Sequence, residues 1–265
     1  MAVRIRRGFA SFNWLGIGTL FGLLVIWQLL VSTKIVDYSA IPGPIQIWHG
    51  FTNLIGSGGG LSTALGHTLY CVAIAWLIAV GVGGALGLLI AANATVASWA
   101  GSTIDLLRSL PVIALIPVAV LIWGIGSKAE IILGAYAGLW PMLLNTAGGA
   151  RSVPPRLHEV ARTLRLSRRA VIVKIVMPAT GAAMLVGARL ALATSLVLCI
   201  VAEILELQSG VGYAVSLELS GDEPARMWAY VIVIGCLGIL LNFALVRIFR
   251  VLFPGVTAAS ERSQV

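Results

Sequence analysis

The segment from Arg151 to Pro178, RSVPPRLHEVARTLRLSRRAVIVKIVMP, is the one long stretch of this chain that cannot sit in hydrocarbon. It holds seven Lys or Arg (Arg151, Arg156, Arg162, Arg165, Arg168, Arg169, Lys174) against one acid, Glu159, and apolar runs flank it on both sides. A charge at the bilayer centre is costly, so the segment reads as an aqueous loop between two membrane crossings. Pro154 and Pro155 end what precedes them and suit the first turn of a new helix. From there Leu157, Val160, Ala161 and Leu164 fall at i, i+3, i+4 and i+7, an apolar stripe with arginines on the other sides. Ser167 is placed to N-cap a second short helix that runs from Arg168 towards Pro178. A helical hairpin therefore projects from the membrane. A basic loop that meets only water has no use for such a stripe, whereas one that docks in a groove of a partner does.

The chain as a whole agrees: of its 265 residues 59% are hydrophobic and 11% charged, the composition of an all-α integral membrane protein. A net charge of +8 would suggest nucleic acid in a soluble protein. Here the basic residues cluster in loops, so topology accounts for them and no nucleic-acid partner is expected.

Six spans are predicted, at about 12–31, 67–92, 104–124, 131–147, 179–205 and 228–246, in one transmembrane domain over 12–253 with tails at 1–11 and 254–265. No small-residue cleavage site closes the first, which reads as an uncleaved anchor. Residues 32–66 read as an outer loop with one surface helix built on Ile45, Ile47, Trp48 and Phe51, with Tyr38 and Trp48 at the interface. Gly83 and Gly87 form a GxxxG pair suited to ordinary helix packing. Pro111 and Pro117 kink the third span, as an adaptation to lipid or as part of a solute path. A short outer turn, 124–128, precedes the fourth.

The fifth span contains Arg189 and Glu203, about 20 Å apart along a helix axis and near one face. They cannot pair with each other, so each must face the bundle interior or an aqueous cavity. We read them as lining or bracing a translocation path; Glu203, near the outer boundary, also has the helix end as an alternative partner. Glu206, Glu218, Asp222 and Glu223 against Arg226 mark 206–227 as an outer loop, with Gly210–Tyr213 as a turn. Arg4, Arg6, Arg7, the hairpin cations, Arg247, Arg250 and Arg262 then lie inside, against Lys34, Lys128 and Arg226 outside, which places both termini in the cytoplasm.

Cys71, Cys199 and Cys236 fall in apolar spans and suggest neither a disulfide framework nor a thiolate metal site. His49, His67 and His158 are scattered, without HxxxH or a Cys partner, so no metal site is predicted. A six-span serine protease would need a G-x-S-G nucleophile followed by a helix His, and neither is present. There is no G-x-x-x-x-G-K-[ST], so ATP-driven work by this route would need hydrolysis on another polypeptide. A secondary transporter or channel remains the alternative, though no inverted repeat supports it.

Glu159, Ala161, Ile175 and Met177-Pro178 resemble the EAA loop of ABC-type importer permeases, whose pattern is E-A-A, three residues, G, nine residues, I, one residue, L-P. Spacing matches throughout; Val160 replaces the second-place Ala, Met177 the Leu, and Arg165 the Gly at which the family's chain turns tightly. Leu107–Val153, and Gly210–Tyr213 beside the G-L-G-Y of the same branch, resemble permeases for nitrate, sulfonates, taurine and related small solutes. The likeness runs from about Pro42 to Pro254. It implies a type I importer permease in a bacterial inner membrane, with Leu157, Glu159, Val160, Ala161, Thr163, Leu164, Arg165, Ser167 and Pro178 forming the coupling surface. It also implies a second permease subunit forming a homodimer, two cytoplasmic ABC ATPase subunits that bind ATP and Mg, and an extracytoplasmic solute-binding protein. This chain would hold no cofactor and do no hydrolysis.

Overall fold

The computed structural model describes residues 14–33, 41–56, 60–205 and 208–252, and every regular element among them is helical. The expected tails at 1–11 and 254–265, with Lys34, Tyr38 and Glu206, lie outside the described residues. In chain order the helices are α1 (Trp14–Ser32), α2 (Pro44–Gly56), α3 (Gly60–Ala92), α4 (Ala94–Ser109), α5 (Ile116–Trp123) and α6 (Ser127–Arg151). They continue with α7 (Pro155–Thr163), α8 (Arg168–Val171), α9 (Met177–Leu205), α10 (Gly210–Ser220) and α11 (Pro224–Leu252). Four stretches are long and apolar enough to cross a membrane: α3, α6, the run containing α9, and α11. A fifth is added if α4 and α5 form one broken span, and α1 is a shorter apolar helix.

Small residues determine the centre, where α3 and α6 run side by side and α9 returns between them and α11. Cβ atoms on Gly83 and Gly87 would sit 2.8 and 2.7 Å from the Leu139 and Leu143 carbonyls of α6. Gly138 of α6 meets Ser195 and Gly134 meets Cys199, both on α9. Lipid supplies no hydrophobic drive between helices, so such close approach and interhelical hydrogen bonds hold them. Ser195 Oγ donates to the Gly134 carbonyl at 2.8 Å and Trp76 Nε1 to that of Ala188 at 2.9 Å.

Three expectations are corrected. Residues 104–124 do not form one kinked helix: α4 starts at Ala94, where the Asn93 side chain accepts the Thr95 and Val96 N–H groups, and stops at Ser109. Pro111 pushes Leu110 into extended backbone. A 3₁₀ turn, Val112–Leu115, then leads into α5, and the halves are bent by 79°. Pro117 lies in the first turn of α5, where its missing N–H costs nothing, so it begins a helix rather than kinking one.

The turn expected at 124–128 is shorter, because α6 begins at Ser127 and draws Lys128 and Glu130 into its first turns. Likewise the acidic loop at 206–227 is mostly helix. Gly210, at φ 95°, reverses the chain into α10 through a conformation glycine adopts freely, so Gly210–Tyr213 is a helix start and not a free turn. The Glu218 carboxylate lies 3.0 Å from Arg226 and ties α10 to α11. The surface helix α2 is present, but Ile47 and Leu54 are buried with Val211, Ala229 and Tyr230, leaving Ile45 and Trp48 exposed.

Candidate functional site

At one end of the bundle the basic hairpin forms as α7 and α8. The Leu166 N–H reaches the Ala161 carbonyl and the Arg165 N–H that of Arg162, both at 3.0 Å, which is the Schellman closure of a helix end. Its C′ residue needs left-handed backbone, and Arg165 takes it at φ 48°. Arginine thus makes the tight turn that the resemblance assigns to glycine. The Ser167 hydroxyl accepts the Ala170 N–H at 3.3 Å, the expected N-cap of α8.

Beyond α8 the chain runs through a π-wound turn, Ile172–Val176, straight into α9. Pro178 would clash with the carbonyl four residues back in regular α-helix. The wider turn, closed by the Met177 N–H on the Ile172 carbonyl, accommodates it, so α8 and the span α9 form one continuous helix, with α7 joined to it through the Arg165 turn.

The apolar stripe divides. Leu157, Val160 and Leu164 are exposed, at 38%, 51% and 64%, while Ala161 is buried at 3%. The expectation that Ala161 shares the outward surface is therefore corrected: its small side chain is buried, and its carbonyl closes the helix end. Glu159 is exposed, and Thr163 Oγ1 donates back to the Glu159 carbonyl at 3.1 Å.

At the opposite end of α9 the polar groups are internal. Glu203 is fully buried. Thr68 Oγ1 donates to its Oε1 at 2.6 Å and the Gly212 N–H to its Oε2 at 2.8 Å, while the Val211 N–H donates to Thr68 Oγ1 at 2.9 Å. A carboxylate thus caps the N-terminus of α10, where helix dipole and free N–H groups favour an anion. A Cβ on Gly210 would collide with that carboxylate, and one on Gly212 with the Ile200 carbonyl.

Glu130 of α6, also fully buried, stands in electrostatic contact with Glu203. His67 Nε2 lies 3.0 Å from Glu130 Oε2 and 3.7 Å from Cys71 Sγ. Cys199 Sγ donates to the Glu130 backbone carbonyl at 3.9 Å. The reading of His67 as lacking a Cys partner is corrected, since His67 and Cys71 are one turn apart on α3. That i, i+4 spacing was the available signal; Glu130, 63 residues further on, had none beyond its place at a span boundary. His67 also borders a cleft of about 620 Å³ between α3, α10 and α11, lined in part by Ser209, Gly210, Tyr213 and Tyr230.

Arg189 does not join Glu203. It is exposed in mid-α9, its Nε donating to Asn242 Oδ1 of α11 at 3.0 Å, and no carboxylate pairs with it among the described residues. Pro111 and Pro117 are exposed at the α4–α5 break, near the point where Tyr136 Oη donates to the Leu107 carbonyl at 2.7 Å.

Residues 83–258 match the family described as binding-protein-dependent transport system inner membrane component. The nitrate import permease protein NrtB of Leptolyngbya laminosa is 30% identical over 84% of this chain and 81% of its own length. A protein described as an aliphatic sulfonates transport permease, SsuC of Bacillus subtilis, is 29% identical over 91% of this chain and 87% of its own. The bicarbonate transport system permease protein CmpB of Synechococcus elongatus is 28% identical over 84% and 83%. Among solved structures, a chain of the MetNI methionine ABC transporter superposes with a TM-score of 0.66 at 20% identity, covering 72% of this chain and 95% of that one, a likeness of fold.

Proposed function

Because the chain belongs to the binding-protein-dependent transport system inner membrane component family, we propose how this ABC importer permease subunit is oriented, driven and loaded. It is a multi-pass membrane protein of a transport system that works with ATPase and binding-protein partners. The orientation has α1, α3, the broken α4–α5 pair, α6, α9 and α11 as six crossings, with the hairpin and both termini in the cytoplasm. The excess of Lys and Arg on that side supports it. Two permease subunits pair, and each hairpin seats in a cleft of a cytoplasmic ATPase that binds ATP and Mg.

One observation carries the coupling role: Leu157, Val160 and Leu164 stay exposed on a structured, strongly basic hairpin. Exposed apolar side chains on a rigid basic element fit a partner's groove. Glu159 adds a charged contact. Closure of the ATPase pair is then transmitted to α9 as rigid-body motion, because α7 is closed onto α8 by the Arg165 turn and α8 runs on into α9 as one helix.

The solute is a small oxyanion. Nitrate, sulfonate and bicarbonate in the names of the relatives share that chemistry. Arg189, held by Asn242 and free of any carboxylate among the described residues, supplies an intramembrane cation for it.

The test is to purify the tagged chain from its native membrane in mild detergent with its ATPase, and to repeat it with Leu164→Asp. Loss of the ATPase from a still-folded variant supports the docking surface; unchanged co-purification and coupled hydrolysis rule it out. In liposomes carrying the full transporter, Arg189→Gln should lower oxyanion uptake at least tenfold while the complex stays assembled. Normal uptake by this variant would remove Arg189 from the path.

A further inference from the structure

The buried group beside Glu203 has chemistry that neither helix packing nor ATPase docking uses. We propose that His67, Cys71 and Glu130 bind one divalent d-block cation of the Zn²⁺ type, reached from the cleft beside His67.

The residues lie as ligands must. His67 and Cys71, four apart, share one face of α3, and Glu130 meets them from α6. One ligand atom from each lies within 4.8 Å of the other two. Bonds of about 2.0–2.1 Å to nitrogen and 2.3 Å to sulfur put neighbouring N and S ligands of a tetrahedral ion about 3.6 Å apart. His67 Nε2 and Cys71 Sγ stand at 3.7 Å, so little rearrangement is needed.

A second observation points to a ligand. Glu130 is completely buried, and its Oε1 has no hydrogen-bond partner. No Lys or Arg pairs with Glu130 or Glu203 among the described residues. An unpaired charge in such surroundings is expensive. A divalent ion bound by one thiolate, one carboxylate and one neutral imidazole gives a site of zero net charge.

Glu203 is not needed as a ligand, since Thr68 and Gly212 already bond both its oxygens, and it stands outside as a neighbour to the site. The thiolate favours d-block ions over Mg²⁺ and Ca²⁺. Entry is through the cleft, where the His67 side chain is 22% exposed while Cys71 and Glu130 are closed off behind it. Three protein ligands leave a fourth position for water.

The experiment uses the full-length chain, purified in detergent with a tag that contains no histidine, and Co²⁺ as an optical stand-in for Zn²⁺. One Co²⁺ per chain is expected, with a thiolate-to-metal charge-transfer band that added Zn²⁺ abolishes. Cys71→Ser should remove the band and weaken Zn²⁺ binding by more than about 100-fold, beyond the 10–100-fold typical of a residue that only orients a ligand. Cys236→Ser, at an exposed thiol on α11, should change neither. His67→Gln, at the rim of the cleft, gives the same readout should Cys71→Ser fail to fold. Absence of stoichiometric Co²⁺ binding, or binding indifferent to both ligand substitutions, overturns the site. No step depends on transport, so the result is independent of the solute and of the hairpin.

Discussion

The two ends of α9 handle polarity in opposite ways. Around Glu203 the polar groups turn inward: a carboxylate takes one hydroxyl and one backbone N–H, and three helices and the start of a fourth close over it. Around the hairpin the charges turn outward, and Leu157, Val160 and Leu164 lie exposed beside them. At the first end the Glu203 carboxylate is satisfied by the chain itself; the second is folded in its backbone but unfinished at its surface. Buried polar groups in a low-dielectric setting hold only when satisfied, so they fix where helices sit. Exposed apolar groups on a capped hairpin fix nothing within the chain, which is what the proposed docking role requires.

The largest effect that would test this contrast is Glu203→Ala. It strands the Thr68 hydroxyl and the Gly212 N–H in the interior, and removing one member of a buried charged network costs about 3–5 kcal/mol. A shift of thermal unfolding in detergent reads it, and Glu203→Gln, which keeps an acceptor, should lose clearly less. A variant as stable as wild type would mean that this end is not organised by its carboxylate.

At the hairpin the expected changes are local and smaller. Ser167→Ala removes the N-cap of α8, an effect of about 1 kcal/mol. Amide exchange at Ala170 should speed up about fivefold with no change in global unfolding. Smallest and opposite in sign is Arg165→Gly. Left-handed backbone costs an L-residue roughly 1–2 kcal/mol, partly offset by the greater freedom of glycine when unfolded. Slower exchange at Leu166, whose N–H closes the Schellman turn, checks it. Faster exchange would mean that the arginine side chain holds the turn rather than tolerating it.

Much of this was legible beforehand because it depends on local order along the chain. The apolar runs, the hairpin after Pro154-Pro155 and the Ser167 cap each follow from spacing within a few residues. Features that depend on distant segments were not legible. Ala161 is buried while its neighbours on the stripe are exposed, and helical spacing alone does not tell a position covered within the chain from one left for a partner. Residues 206–227 read as loop because four acids against one base suggest water, but the first turn of α10 is anchored by Thr68 and Glu203 from other helices. Two prolines signalled an interruption near 111; the 79° bend depends on where the following turn packs. Glu130 looked like the edge of a turn because nothing in its neighbourhood names His67 as its partner.

The π-wound turn at Ile172–Val176 sets a phase. In an unbroken helix the direction of everything on one side is fixed by a residue count relative to the other, and each residue is worth about 100° of rotation. The extra residue in this turn therefore decides which way α8 faces relative to the faces of α9 that pack on α6, and α7, closed onto α8 by the Arg165 turn, carries Leu157, Val160 and Leu164 with it. Removing one residue there would leave every side chain of the hairpin in place and aim the whole group a quarter-turn or more away. The aim of the hairpin is thus written at its root, in a count of one, and not at its tip.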